Sequence, residues 1–146
     1  MNSKNNSSQV TESQCTELRI LATAAAEHSY SPYSKFRVGA ALLLMNDAIV
    51  VGCNVENCSY RLTCCAEQSA IARAVAEYGP GIRLRAVAVA NLNAAASMPC
   101  GACRQTLAEF GDDDTVILYP GEDGEKATTL GELLPHAFRL SFLGAQ

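Results

Sequence analysis

Residues 86–90 read Ala86-Val87-Ala88-Val89-Ala90, an apolar run with no polar residue in either alternate set. A strand buried on one face alternates apolar with polar, whereas one apolar on both faces needs cover on both. The run therefore predicts an interior strand with helices above and below it. On its N-terminal side, Cys65 to about Tyr78 carries Ala66, Ala70, Ile71, Ala74 and Val75 at helical spacing and stops at Gly79-Pro80-Gly81. On its C-terminal side, Pro99 precedes a helix from about Cys100 to Phe110, closed by Gly111. Further out, Val38 to Leu44 and Ala48 to Asn54 read as a hairpin about Asn46-Asp47. Thr115 to Tyr119 reads as another strand, followed by a turn at Asp123-Gly124. Capping-box spacing at Thr11/Gln14 starts a first helix of about sixteen residues, ending before Ser31-Pro32. The same spacing at Thr129/Glu132 starts a short last helix ending at Pro135. Strands interleaved with helices give an α/β class, a three-layer α/β/α sandwich around one mixed sheet of about five strands.

The chain has 146 residues, 49% hydrophobic and 18% charged, which fits one domain with a single core. Residues 1–10, polar and rich in Asn and Ser, are expected to be a disordered tail, and 11–146 the domain. No apolar stretch approaches the roughly 18 residues that cross a bilayer, so no membrane partner is expected. The polar start has the features of neither a signal nor a transit peptide, and the expected compartment is the cytoplasm. With net charge −4 and scattered lysines and arginines, there is no basic stripe for nucleic acid, which favours a small-molecule partner. Seven cysteines, an odd number without a secretory signal, suggest metal binding or buried thiols rather than disulfides.

Three cysteines fall at predicted helix starts: Cys65, Cys100 and Cys103. A helix N-terminus favours thiolate over thiol, because unpaired N–H groups and the helix dipole stabilise negative charge there. Three thiolates can hold zinc and leave its fourth position to water, the arrangement of a catalytic rather than a structural site. Cys100-Gly101-Ala102-Cys103 alone reads equally as a redox pair or two packed thiols. The combination with Cys65-Ala66-Glu67 and Pro99 is more specific. A carboxylate two residues after the first ligand, with Pro-Cys-x-x-Cys on a later helix, is the pattern of the zinc deaminases with cysteine in the histidine's position. Glu67 is then a proton shuttle, against two alternatives: a solvated first-turn glutamate or a direct ligand.

Taken in order, Ser31-Pro32-Tyr33-Ser34-Lys35-Phe36, Gly52-Cys53-Asn54-Val55-Glu56-Asn57, Cys65-Ala66-Glu67, Pro99 to Gln105 and Leu133 to Phe138 resemble the small homotetrameric cytidine deaminase family. The resemblance implies one zinc per chain on Cys65, Cys100 and Cys103, with Glu67 catalytic. It implies that Asn54 and Glu56 bind the ribose, at its 3′-hydroxyl, and that Phe36 stacks on the pyrimidine and the Ala66 backbone contacts the base. Tyr60 and Phe138 would complete a neighbouring subunit's pocket in a tetramer with shared sites. Each aromatic has an ordinary packing role as its alternative. The implied activity is hydrolytic deamination of free cytidine and 2′-deoxycytidine, a pyrimidine-salvage reaction. The alternative substrate is an N4-modified cytidine or a nucleoside antibiotic such as blasticidin S.

One position departs from the resemblance. Three-cysteine members usually carry arginine after Cys-Ala-Glu, and here Gln68 stands there, leaving Arg104 as the candidate to offset the excess thiolate charge. Cys53 and Cys58 read as buried structural thiols, and Cys64 is awkwardly placed to share a metal with its neighbour Cys65. His28 and His136 read as surface or capping residues. A zinc-stabilised module without catalysis would need a fourth protein ligand, and no cysteine or histidine is evidently placed to supply it.

Overall fold

The computed structural model describes residues 9–140, so the tail expected over 1–10 lies largely outside the described residues. In chain order the elements are α1 (Glu12–Ala26), β1 (Val38–Leu44), β2 (Ile49–Cys53), α2 (Ala66–Tyr78), β3 (Leu84–Asn91), α3 (Gly101–Phe110), β4 (Val116–Gly121), β5 (Gly124–Thr129) and α4 (Leu130–Leu133). A single turn of 3₁₀ helix covers Tyr60–Leu62. The five strands form one sheet in the order β2-β1-β3-β4-β5. Only β3 and β4 run parallel; the other neighbours are antiparallel. The sheet is therefore mixed.

The alternating residues of β1 and β3 divide the interior in two. Ala41, Leu43, Ala86 and Ala88 face α1, against its Leu18 and Ala22. Ala40, Leu42, Leu44, Val87 and Val89 face the other way, toward Ala66, Ala70, Ile71 and Ala74 of α2 and Leu107 and Ala108 of α3. Each fully buried Leu, Val or Ile side chain contributes about 1.5–3 kcal/mol relative to exposure, and both faces of β3 are supplied with them. This is the three-layer sandwich that the apolar run at 86–90 predicts.

Helix starts follow the capping rules. In α1, Thr11 Oγ1 accepts from Gln14 N at 3.1 Å and Gln14 Oε1 accepts from Thr11 N at 3.0 Å. In α4, Thr129 and Glu132 repeat the arrangement. Gly79, at φ +87°, ends α2 in a conformation that side chains rarely adopt. The strand expected over Ala48 to Asn54 is trimmed to Ile49–Cys53, and the one expected from Thr115 begins at Val116 and extends to Gly121. Strand β5 has no counterpart among the elements read from sequence, although the expected strand number holds. Its residues, Gly-Glu-Lys-Ala-Thr-Thr, are mostly exposed at the sheet edge and show no apolar alternation.

Gly52 brings α2 close to the sheet. A Cβ built there would lie 2.5 Å from Ala70 N and 2.8 Å from Ala66 O, distances that no side chain tolerates. The first turn of α2 thus rests on the backbone of β2.

Candidate active site

Cys65 is the N-cap of α2 and Cys100 the N-cap of α3, so the thiols sit at the two helix starts where backbone N–H groups are unpaired. Cys100 Sγ accepts from Cys103 N at 3.4 Å. The Sγ atoms of Cys65, Cys100 and Cys103 all lie within 4.8 Å of one another, and those of Cys65 and Cys100 are 4.0 Å apart. Tetrahedral zinc with Zn–S near 2.3 Å sets its sulfurs about 3.8 Å apart. The cluster fits that ion in both spacing and donor chemistry. Exposure is graded across it, from exposed Cys100 through Cys65 to buried Cys103.

The thiols do not ionise independently. The thiol hydrogen bond from Cys103 draws Cys65 down to about 7, against the cost of its own burial and the nearby Glu67. Cys103, the donor in that bond and itself buried, is pushed far up. Three adjacent sulfurs resist sharing three negative charges, and a divalent cation relieves that repulsion.

Glu67, in the first turn of α2, is 4% exposed. Its Oε2 lies 3.4 Å from Cys103 Sγ. Burial pushes its carboxyl above the ordinary carboxylate range.

A cavity of about 300 Å³ opens over this cluster. Phe36, Asn54, Glu56, Cys65, Ala66, Glu67, Cys100 and Cys103 line it, eight of the ten residues expected at the site. Tyr60 and Phe138 do not line the cavity of their own chain. They are 76% and 71% exposed, and Tyr60 meets the ring of Tyr33 edge to face at 6.1 Å. Ser34, from the Ser31 to Phe36 block, also lines the cavity, as do Thr63, Ser97 and Met98, which the sequence does not single out. No motif marks chemistry at Thr63, Ser97 or Met98; loop geometry brings them in.

Asn54 and Glu56 are tied to the chain around them. Asn54 Oδ1 accepts from Val38 N at 2.9 Å and Ser29 Oγ at 2.5 Å, and its Nδ2 donates to Phe36 O at 2.8 Å. Glu56 Oε2 accepts from Tyr33 N at 2.9 Å and Ser34 N at 3.2 Å, while Ser34 Oγ donates to Oε1. The Ser34 hydroxyl, followed by these N–H groups, holds the Glu56 carboxyl below its usual range.

Gln68 and Arg104 are engaged away from the sulfurs. Gln68 Oε1 accepts from Cys65 N at 3.2 Å, so the glutamine caps the helix that begins at Cys65. Arg104 Nε and Nη1 donate to Pro99 O at 2.8 Å and Leu133 O at 3.0 Å, bracing the loop before α3. Cys58 is exposed rather than a buried thiol, since its loop lies outside both core clusters. His28 and His136 are exposed, as expected.

The family model for the cytidine and deoxycytidylate deaminase zinc-binding region matches residues 12–119. A cytidine deaminase of Mycobacterium tuberculosis is 47% identical over 126 residues, covering 86% of this chain and 90% of that one. A cytidine deaminase of Sporosarcina psychrophila is 44% identical, covering 78% and 83%. The crystal structure of the M. tuberculosis enzyme is similar at a TM-score of 0.75 with 43% identity, covering 86% of this chain and 97% of that one. That of Burkholderia pseudomallei cytidine deaminase gives 0.76 with 40% identity, covering 88% and 100%. The matched family model and these relatives, together with the three-cysteine, zinc-compatible centre, make the chain a deaminase. The chain belongs to the cytidine deaminase family.

Proposed function

We propose that the chain deaminates free cytidine and 2′-deoxycytidine hydrolytically, giving uridine or 2′-deoxyuridine and ammonia in pyrimidine salvage, with one zinc per chain on Cys65, Cys100 and Cys103. One observation carries this reading: three thiols within 4.8 Å of one another and a buried carboxylate 3.4 Å from one of them meet at a single cavity. Zinc, when bound, supplies a water acidified to the neutral range. Glu67 accepts a proton from the attacking water and delivers it to the pyrimidine N3, making C4 electrophilic. The water oxygen adds to C4, and Glu67 then takes the remaining proton of the new C4 hydroxyl and gives it to the amine as the C4–N bond breaks, leaving the C4 carbonyl and ammonia, so one carboxylate serves both transfers. Phe36 offers its ring to the base and the Ala66 backbone contacts the base edge.

The sugar contacts follow from the bonding capacity that remains. With Oδ1 accepting twice and Nδ2 donating once, Asn54 keeps one N–H donor. Glu56 accepts three hydrogen bonds out of roughly four sites and keeps one acceptor. One donor beside one acceptor suits a single hydroxyl, which gives one hydrogen bond and takes another. That hydroxyl is assigned to O3′, common to both sugars. Cytidine and 2′-deoxycytidine are then used within several-fold of each other, free cytosine is poor, and 3′-deoxycytidine loses about 10- to 100-fold in kcat/KM, as expected for hydrogen bonds involving a charged group. Equal efficiency on 3′-deoxycytidine, followed by absorbance, would remove Asn54 and Glu56 from sugar recognition.

The same reading makes the chain a homotetramer with Tyr60 and Phe138 completing a neighbour's site. Two exposed aromatics that leave their own cavity unlined support it. A Phe138→Ala variant is expected to lose cytidine activity while retaining zinc. Mixing it with a Glu67→Gln variant should restore some activity, because mixed assemblies contain sites with Glu67 from one chain and Phe138 from another. A fully active monomer in light scattering would refute shared sites. Among the described residues no helix is long and apolar enough to cross a membrane. A thiol-ligated centre suits the reducing cytoplasm, the proposed compartment.

A further inference from the structure

Phe36 sits in a loop that no strand or helix holds, yet both of its own backbone polar groups, Lys35 O and Arg37 N are all claimed by side chains. Phe36 N donates to Ser34 Oγ at 3.0 Å and Phe36 O accepts from Asn54 Nδ2 at 2.8 Å. The groups flanking it belong to one residue, Asn93. Its Nδ2 donates to Lys35 O and its Oδ1 accepts from Arg37 N, both at 3.0 Å. The partners, a carbonyl on one side and an N–H on the other, fix which way the amide points. Asn93 is an exposed residue outside the cavity, and it brackets Phe36 from both sides.

Two features indicate that the bracket does more than complete a turn. Lys35 lies at φ +61°, a region sparsely occupied by residues with a side chain, so this conformation has to be imposed by the surroundings. Asn93 also lies in the loop after β3 that leads to the lining residues Ser97 and Met98. Leu92 N donates to Arg37 O at 3.0 Å, and Asn93 N donates to Asn91 Oδ1 at 3.0 Å. Asn91 Nδ2 in turn donates to Ala95 O and Ser97 Oγ. From there the chain runs through the lining residues Ser97 and Met98 to Cys100. One amide thus fastens the Phe36 loop to the loop that leads into the metal-ligand helix.

We infer that Asn93 is a positioning residue for substrate binding, acting through Phe36 to set the ring's height and tilt against the pyrimidine. This rests on the reading that Phe36 stacks on the base. The effect belongs in KM, because the bracket holds a binding surface and touches neither Glu67 nor the thiols.

The test compares Asn93→Ala, Asn93→Asp, Phe36→Ala and the Phe36→Ala/Asn93→Ala double variant in the full chain, with zinc content, melting temperature, kcat and KM for cytidine measured on each. Asn93→Ala is expected to raise KM roughly tenfold, the scale of losing two hydrogen bonds that hold a binding group, with kcat and zinc content close to those of the parent. Asn93→Asp keeps the shape but turns a carboxylate oxygen toward Lys35 O, so it should raise KM at least as much; it provides the measurement if the alanine variant fails to fold. In the Phe36→Ala background the Asn93→Ala change should add little to KM, since the ring it positions is gone. If Phe36→Ala leaves KM unaltered, the stacking reading fails and this inference with it. If Phe36→Ala raises KM and neither Asn93 variant does, the stacking reading survives and the positioning role is overturned. Fully additive effects of the two changes, or a fall in melting temperature and zinc at unchanged KM, would likewise overturn it.

Discussion

Replacing Glu67 by glutamine is expected to lower kcat for cytidine by at least 10²–10⁴-fold, the usual worth of general acid–base catalysis, and by more because one group serves two transfers. Glutamine keeps the length and shape of the side chain, so the 4%-exposed site it occupies need not repack. What it loses is the ability to accept a proton near the cluster and release it to N3 or to the amine. Zinc content and KM should change little, because Glu67 meets the cluster through Cys103 Sγ at 3.4 Å rather than as one of the three thiols. Metal analysis beside steady-state kinetics separates the possibilities. Turnover within tenfold of the parent would show that another group moves the protons, while loss of zinc together with activity would make Glu67 a ligand.

Cys100→Ala is expected to abolish both zinc binding and activity, by more than about 100-fold. Loss of an outer partner of a ligand already costs 10–100-fold in metal affinity, and here a ligand itself is removed. Cys100 is the informative member of the three because it is exposed, whereas Cys103 is buried and its truncation would also leave a hole in the core. A Cys100→Ala protein that folds and melts like the parent but contains no zinc isolates the ligand role. Full zinc retention, by elemental analysis of the dialysed protein, would sink the assignment.

The residues that announced the fold were those whose surroundings are simple. Ala86 to Ala90 have apolar neighbours on both faces, and a run with that requirement has few other uses. The capping boxes at Thr11 and Thr129 are contained within four residues each, so spacing suffices to read them. Strand β5 was illegible for the opposite reason: it pairs with β4 through its backbone and leaves its side chains exposed, so composition carries no imprint of it. The cluster of thiols and Glu67 could be read because metal chemistry restricts residue type. Thr63, Ser97 and Met98 could not, since cavity lining makes no such demand. The second duties of Asn54 and Glu56, holding the Phe36 loop while facing the cavity, depend on contacts across 16 to 25 residues of chain that no local pattern records.

Gly52 carries a consequence beyond packing. The contact that leaves no room for a Cβ also sets how high the first turn of α2 rides above the sheet, and that turn begins at the N-cap Cys65 and bears Glu67. The positions of the Cys65 thiol and the Glu67 carboxylate are therefore inherited from the closest approach of two pieces of backbone. Two of the three nearest atoms, Ala70 N and Ala66 O, are backbone, so a side chain at position 52 can be accommodated only by lifting the helix start. Any side chain there is therefore expected to shift the Cys65 thiol and the Glu67 carboxylate together, along with the helix that carries them.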